Sequence, residues 1–180
     1  MTNIFELISG NDSDYVKINH IREWCNLYTH HKMLFAINPI FDKKTIADSL
    51  RENTTILFML LEPQFFKQLR SRVTVFRMIL DVMVFDIDYV HPDFGDTILT
   101  HLCYNSIFDN NDTLRTEAII AVLNYHIRPN VNFISKDGMT MTLFVQNNRN
   151  IRQKYKNIIG ELVATPQRIG PGHRRHSAPS

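Results

Sequence analysis

The chain has 180 residues, 44% of them hydrophobic and 21% charged, which suits one compact domain or a short repeat array with its own core. The formal net charge of +2 gives no electrostatic indication of nucleic acid or an anionic membrane as a partner. Cys25 and Cys103 are the only cysteines, and neither lies in a Cys-x-x-Cys pair. This excludes a disulfide framework and favours a reducing compartment, so we expect a cytoplasmic protein, with the nucleus as a second location.

The first fifty residues predict two helices, over residues 3–9 and 16–38. We expect them to form a helical N-terminal cap, or a degenerate first repeat, over residues 1–44, because terminal repeats are often atypical. The apolar side chains expected to lie in its core are Trp24, Leu27, Met33, Leu34 and Phe35.

Three threonines mark a repeated pattern further along the chain. Thr55, Thr97 and Thr140 are 42 and 43 residues apart, and each is followed closely by apolar residues. Glycine precedes the later two threonines, as Gly95 and Gly138. Glycine suits a tight turn with positive φ, and threonine is a preferred helix N-cap. The pattern predicts a turn followed by a short helix at each of these places.

A second motif recurs in the same phase. Asp86 and Asp88 flank an isoleucine shortly before Gly95, and Asn130 and Asn132 flank a valine shortly before Gly138. Asp and Asn side chains cap their own backbone, so this motif is typical of a turn that leaves a helix. Two motifs that keep one phase indicate an internal repeat.

Longer helices are predicted between the turns, over residues 74–85, 116–127 and 151–163. Glu117 falls in the predicted first turn of the second of these, where a negative charge is favourable. The positions expected to face the core are Val75, Ile79, Val82, Met83, Ile119, Ile120, Val122, Leu123, Tyr155, Ile158, Ile159 and Leu162. We therefore expect an all-α fold of short helix, longer helix and protruding turn, repeated through residues 45–163. A disordered basic tail is expected over residues 164–180.

The segment from Asp86 to Cys103 resembles the ankyrin repeat, with its turn followed by Gly-x-Thr and an apolar helix start. The segment from Asn130 to Thr140 is similar at the turn. Isoleucine and methionine stand at positions 98 and 141, where the family has proline. The spacing exceeds the family's period of about 33 residues, which we ascribe to longer connections such as residues 106–115. The resemblance implies a short helical-repeat solenoid over residues 45–163.

The resemblance also implies a function. Ankyrin-type repeats form non-enzymatic protein-binding modules, so we expect another protein as partner, and no cofactor, metal, nucleic acid, membrane or small-molecule substrate. Divergent, elongated units in a short chain look like those of viral IκB-like proteins, which implies a host–virus interaction and inhibition of host Rel/NF-κB transcription factors. Binding through the turns and the inner face of the short helices is implied for Tyr89, His91, Asp93, Phe94, Asp96, Phe133, Ser135, Lys136, Asp137 and Met139.

Two alternatives of other classes remain open. Ser177 has an arginine at −3 and a proline at +2, a pattern that fits a phosphorylation-controlled adaptor acting through the tail. The other is an unrecognised enzyme or metal protein. Cys25 and His20, with the histidine pair at positions 30 and 31, match no strong zinc spacing. Cys103 stands where ankyrin helices bury a small residue, which favours an inert core thiol over a nucleophile.

Overall fold

A computed structural model describes residues 4–35 and 43–164, with side chains described for residues 4–28 and 48–164. The predicted tail beyond Ala164, including Ser177, lies outside the described residues. The side chains of Met33, Leu34 and Phe35, predicted to be core, also lie outside them.

Every regular element among the described residues is helical, so the predicted all-α class is confirmed. The elements are α1 Ile4–Ser9, α2 Asp14–Phe35, α3 Lys43–Met59, α4 Leu69–Val82, α5 Ile98–Tyr104, a 3-10 helix Ser106–Phe108, α6 Asp112–Leu123, α7 Met141–Asn147 and α8 Gln153–Ala164. In the described part of the chain, no helix combines the length and the apolar composition that crossing a bilayer requires.

The helices pack in two rows. The even-numbered row runs α2, α4, α6, α8, and each of its helices contacts the next. In the odd-numbered row, α3 contacts α5 and α5 contacts α7. Helix α1 packs on α2, and α5 packs on α6. Grouped two by two in chain order, the helices make four successive pairs, and contacts along the rows join each pair to the one that follows it. The described core is built of aliphatic and aromatic side chains from both rows, including Phe58, Phe76 and Phe108.

The predicted turns before α5 and α7 are confirmed. Gly95 and Gly138 have φ values of 69° and 75°, which residues with a Cβ adopt only under strain. Thr97 is the N-cap of α5, and its side chain accepts a hydrogen bond from the Thr100 N–H. Thr140 caps α7 in the same way by accepting from the Leu143 N–H. Thr97 and Thr140, which are 43 residues apart, therefore occupy equivalent positions in the structure.

The prediction that a turn and a short helix start at Thr55 is wrong. Thr55 lies inside α3, and its hydroxyl donates to the carbonyl of Arg51, one turn earlier. The neighbouring Thr54 is fully buried and donates both to the Leu50 carbonyl and to the Asp86 carbonyl. No glycine precedes this window, so the chain has no residue suited to the positive-φ turn that begins α5 and α7.

Several predicted bounds and core positions also differ. Helices α4 and α6 begin about one turn earlier than predicted, so Glu117 lies in mid-helix and Asp112 is the acidic residue of the first turn. The side chain of Asn111 sets this start, because it caps α6 by accepting from the Leu114 N–H. Leu27 and Ile158 are 56% and 39% exposed rather than core, although Trp24 is buried as predicted.

A basic residue stands at the fourth position of every even-numbered helix: Lys17, Arg72, Arg115 and Lys156. The first three are buried. Lys17 Nζ donates to the Ile8 carbonyl at 2.9 Å, and Arg115 donates to the Cys103 carbonyl at 2.9 Å. Each of these carbonyls belongs to the preceding odd-numbered helix, so the cations join the two helices of a pair.

Arg72 also donates to backbone carbonyls, but these belong to the connection between α3 and α4. Its guanidinium donates to the carbonyls of Phe66 and Pro63, at 2.9 Å for the Phe66 contact made by Nε. A second anchor acts at the same place, since the Asp14 carboxylate accepts from the N–H groups of Lys67 and Gln68, just before α4. Burial alone would raise the pKa of Asp14, but these two N–H groups, the Ser71 side chain and the nearby Lys17 together lower the pKa below its usual value.

Candidate functional site

The candidate site is the turn surface, formed by the first turn (residues 86–97) and the second turn (residues 130–140). In the first turn, the His91 N–H donates to the Asp96 carbonyl at 3.0 Å and the Gly95 N–H donates back to His91 at 2.7 Å. In the second, the Ser135 N–H donates to the Met139 carbonyl and the Gly138 N–H donates back to Ser135, both at 2.9 Å. The two turns are thus closed by equivalent backbone bonds.

The two turns lie side by side and contact each other. The Asp88 carboxylate accepts a hydrogen bond from the Asn130 N–H at 2.6 Å, across a separation of 42 residues. The stem of Lys136 lies against Gly95, where an added Cβ would come within 3.2 Å of the Lys136 Cδ. These contacts make one continuous surface of the two turns.

Apolar side chains are exposed on this surface. Val90 of the first turn is 41% exposed, and Ile134 and Met139 of the second are 63% and 39% exposed. Leu143, the third residue of α7, is 42% exposed. Exposed charges stand among them, on Asp93, Lys136 and Asp137. Apolar anchors beside charges are typical of protein interfaces, where the apolar centre supplies affinity and the charges supply specificity.

Beneath the first turn lies an aromatic cluster of Phe58, His91, Phe94 and His101. The ring of Phe94 lies 4.7 Å from His91, 4.5 Å from His101 and 5.7 Å from Phe58. Burial, with a smaller contribution from His91, lowers the pKa of His101 to about 4, so its imidazole is neutral at pH 7. The cluster therefore supports the turn by packing, with no ion pair between His101 and a carboxylate at neutral pH.

The residues predicted to form the site differ in how exposed they are. Asp93, Lys136, Asp137 and Met139 are exposed, whereas Phe94 packs against the core. Tyr89 is half-buried, with its ring edge-on to that of His91. Phe133 is also half-buried.

Two further predicted site residues, Ser135 and Asp96, are not exposed. Ser135 is buried, and its hydroxyl accepts from the N–H groups of Asp137 and Met139. Asp96 is half-buried, and its Oδ2 lies 3.8 Å from His101 Nδ1. Burial raises the pKa of Asp96, against the opposing effect of Lys136. The Ser135 hydroxyl thus holds the backbone that carries the exposed residues Asp137 and Met139.

Val90, Ile134 and Leu143 were missed at the sequence level. Each is an aliphatic residue within or next to a turn, which is also the pattern of a side chain that packs between turns. In the structure, exposed Ile134 stands between half-buried Phe133 and buried Ser135. Sequence alone does not say which of two adjacent apolar residues points outward.

Neither cysteine is suited to act as a nucleophile at neutral pH. Burial raises the pKa of Cys103 far above its usual value and that of Cys25 to about 11, so neither thiol forms a thiolate at neutral pH. The prediction that Cys103 is a buried thiol is confirmed. Within residues 4–35 and 43–164, no three His, Cys, Asp or Glu side chains are grouped so as to hold a metal ion.

A cavity of about 430 Å³ lies elsewhere, between α4 and α6. Its lining combines a basic residue, Arg77, with two acidic ones, Asp81 and Glu117. This mixture of signs selects neither an anion nor a cation. The turn surface, with its exposed apolar residues, is the stronger candidate.

Comparison with known protein families, with curated proteins and with solved structures finds no match to this chain.

Proposed function

We propose that this chain is a non-enzymatic protein-binding module of ankyrin-like helical repeats, and that its turn surface binds the partner. The observation that carries the proposal is the exposure of Val90, Ile134 and Met139 on two turns that are hydrogen-bonded to each other. A continuous surface with several apolar anchors and a charged surround is what a protein partner needs to bury.

The repeat part of the proposal is supported by features that recur with the spacing of the turns. Thr97 and Thr140 cap equivalent short helices, and Gly95 and Gly138 share positive φ. Helices of one pair contact those of the next along both rows, which is how repeat proteins bury faces that a single unit would leave exposed.

The narrower proposal is an IκB-like inhibitor that sequesters host Rel/NF-κB factors. It is supported by the resemblance of the turn and helix-start motifs, in a short chain, to the divergent ankyrin units of viral IκB-like proteins. A Rel homology region is therefore the first partner to test.

The test uses a double variant, Ile134→Asp with Met139→Asp, because both side chains are exposed and their replacement leaves the core intact. Binding to a Rel homology region is measured by titration calorimetry. We expect a loss of about 2 kcal/mol or more, roughly thirtyfold in Kd, which is typical for the loss of interface anchors. Phe94→Ala is a poorer choice, since it would loosen the aromatic cluster beneath the first turn.

The matched control carries Leu27→Asp and Ile158→Asp, two similarly exposed apolar residues on α2 and α8 of the even-numbered row. The control should bind like the wild type. If the chain binds no Rel homology region, the narrower proposal is wrong. The same three proteins then capture partners from cell extract, and a partner retained by the control but lost by the double variant supports the module. Equal capture by all three contradicts the assignment of the turn surface.

A further inference from the structure

A second candidate surface lies at the end of the helix rows, independent of the turns. A groove of about 240 Å³ runs between α7 and α8, and all of its lining residues belong to these two helices. Its apolar lining residues are Met141, Val145, Ile159 and Val163, with Gly160 and Lys156 beside them. The last helix pair therefore presents an apolar groove on which no further helix of the described chain packs.

Lys156 occupies the same position in α8 as the buried cations of the other even-numbered helices. In two of those pairs, the following pair covers the cation. Lys17 Nζ donates to the Phe65 carbonyl at 2.7 Å and lies 5.2 Å from the Phe66 ring, and both of these belong to the next pair's connection. The Arg115 guanidinium lies 5.3 Å from the ring of Phe144 in α7. Lys156 is only half-buried, and its ammonium has no ion pair with the described residues.

Gly160 indicates how a partner would approach. It lies in the interior of α8, where glycine destabilises a helix by about 1 kcal/mol relative to alanine. A Cβ built at this position meets no atom within 4 Å, so nothing inside the described fold requires glycine here. A side chain at 160 would project into the groove, whereas glycine leaves room for the side chains of another helix.

The charge of this end of the chain favours an acidic partner. Among the described residues that line the groove, Lys156 is the only charged one. Arg149, Arg152 and Lys154, which precede it in the sequence, are also basic, and Glu161 is the one acidic residue between positions 141 and 164. A second copy would bring the same basic residues into contact, and the tail after α8 is also basic. Both occupants would be repelled, whereas an acidic partner would be attracted.

We propose that this groove binds an acidic amphipathic helix of a partner protein. The apolar face of that helix would lie over Gly160 and Val163, and one of its carboxylates would pair with Lys156. The bound helix would thus take the place of a next helix pair, giving Lys156 the cover that Lys17 and Arg115 receive within the chain.

The probe is a labelled helical peptide of about 18 residues, with leucines at spacings of three and four and glutamates on the flanks. Its binding to the full chain is measured by fluorescence anisotropy, against a peptide with lysine in place of each glutamate. We expect a Kd tighter than about 100 µM for the acidic peptide and binding at least tenfold weaker for the basic one. Equal affinity for both peptides, or none for the acidic one at that concentration, would overturn the proposal.

Two substitutions at one position separate groove filling from misfolding. Gly160→Leu fills the groove and should weaken binding of the acidic peptide about tenfold or more. Gly160→Ala adds only a methyl group, so it should retain binding and raise the midpoint of urea unfolding. Unchanged binding by Gly160→Leu contradicts the proposal, as does a dimer in sedimentation that Gly160→Leu dissociates. The Ile134→Asp and Met139→Asp variant should bind the peptide normally, which keeps this result separate from that for the turn surface.

Discussion

Thr97 and Thr140 show what single residues contribute to the repeat. Each accepts an N–H from the first turn of its helix, and Thr97 also shares a hydrogen bond of 2.8 Å with the Thr100 hydroxyl. We expect Thr97→Val and Thr140→Val each to lower the free energy of unfolding by about 1 kcal/mol, somewhat more at Thr97 because the Thr100 hydroxyl loses its partner. Urea denaturation followed by circular dichroism measures the change.

Thr55→Val is the matched control, because Thr55 has the same sequence context but lies inside α3. It should change the free energy of unfolding by less than about 0.5 kcal/mol. Similar losses at all three threonines would mean that the cap bonds are not the cause.

These threonines also show what can be predicted from the sequence for single residues. Two of the three anticipated caps are caps, because a glycine before them supplies the positive-φ turn and the sequence displays that glycine. The exposed anchors of the turn surface were harder to predict. Phe94 and Ile134 are both apolar turn residues, and only the packing of the first against His91 and His101 tells them apart.

The buried cations act at the scale of the elements, where each joins an even-numbered helix to the segment before it. Arg115 donates to the carbonyls of Cys103 and Asn105, and to the carboxylate of Asp109. We expect Arg115→Met, which keeps most of the volume, to lower the free energy of unfolding by about 2 to 4 kcal/mol, since buried carbonyls lose their donors. Chemical denaturation is again the measurement.

Arg77→Met on α4 serves as the comparison, because Arg77 is an exposed arginine on the same row of helices. Its effect should stay within about 0.5 kcal/mol. If both replacements lower the free energy of unfolding equally, the hydrogen bonds of Arg115 do not hold α5 and α6 together.

This recurrence was not found from the sequence, for a physical reason. A basic residue near the start of a helix usually belongs to a solvated face, and Lys17, Arg72 and Arg115 share no sequence context apart from their helix position. The helix starts were themselves misplaced by about one turn in α4 and α6, so the common fourth position was hidden. Helix existence followed from apolar periodicity, whereas helix starts depended on caps such as Asn111 that the periodicity does not report.

At the scale of the whole molecule, stacking of pairs predicts uneven stability. Helices α4 and α6 each bury seven residues and have neighbours on both sides, whereas only Ile159 is buried in α8. We expect amide hydrogen exchange to be slowest in α4 and α6 and fastest in α1 and α8, because terminal units lack one neighbour. Exchange measured by mass spectrometry tests this order. Equal protection of α8 and α4 would indicate a single cooperative unit instead.

The hydrogen bond between Asp88 and Asn130 has a consequence for how this chain can change in length during evolution. It fixes the two turns in one register, and the buried arginines fix the beginning of the helix that follows. A residue inserted at either place would break a contact on which the stacking depends. Insertions and deletions among descendants of this sequence should therefore avoid both places, while the distance from one turn to its neighbour's contact point stays fixed.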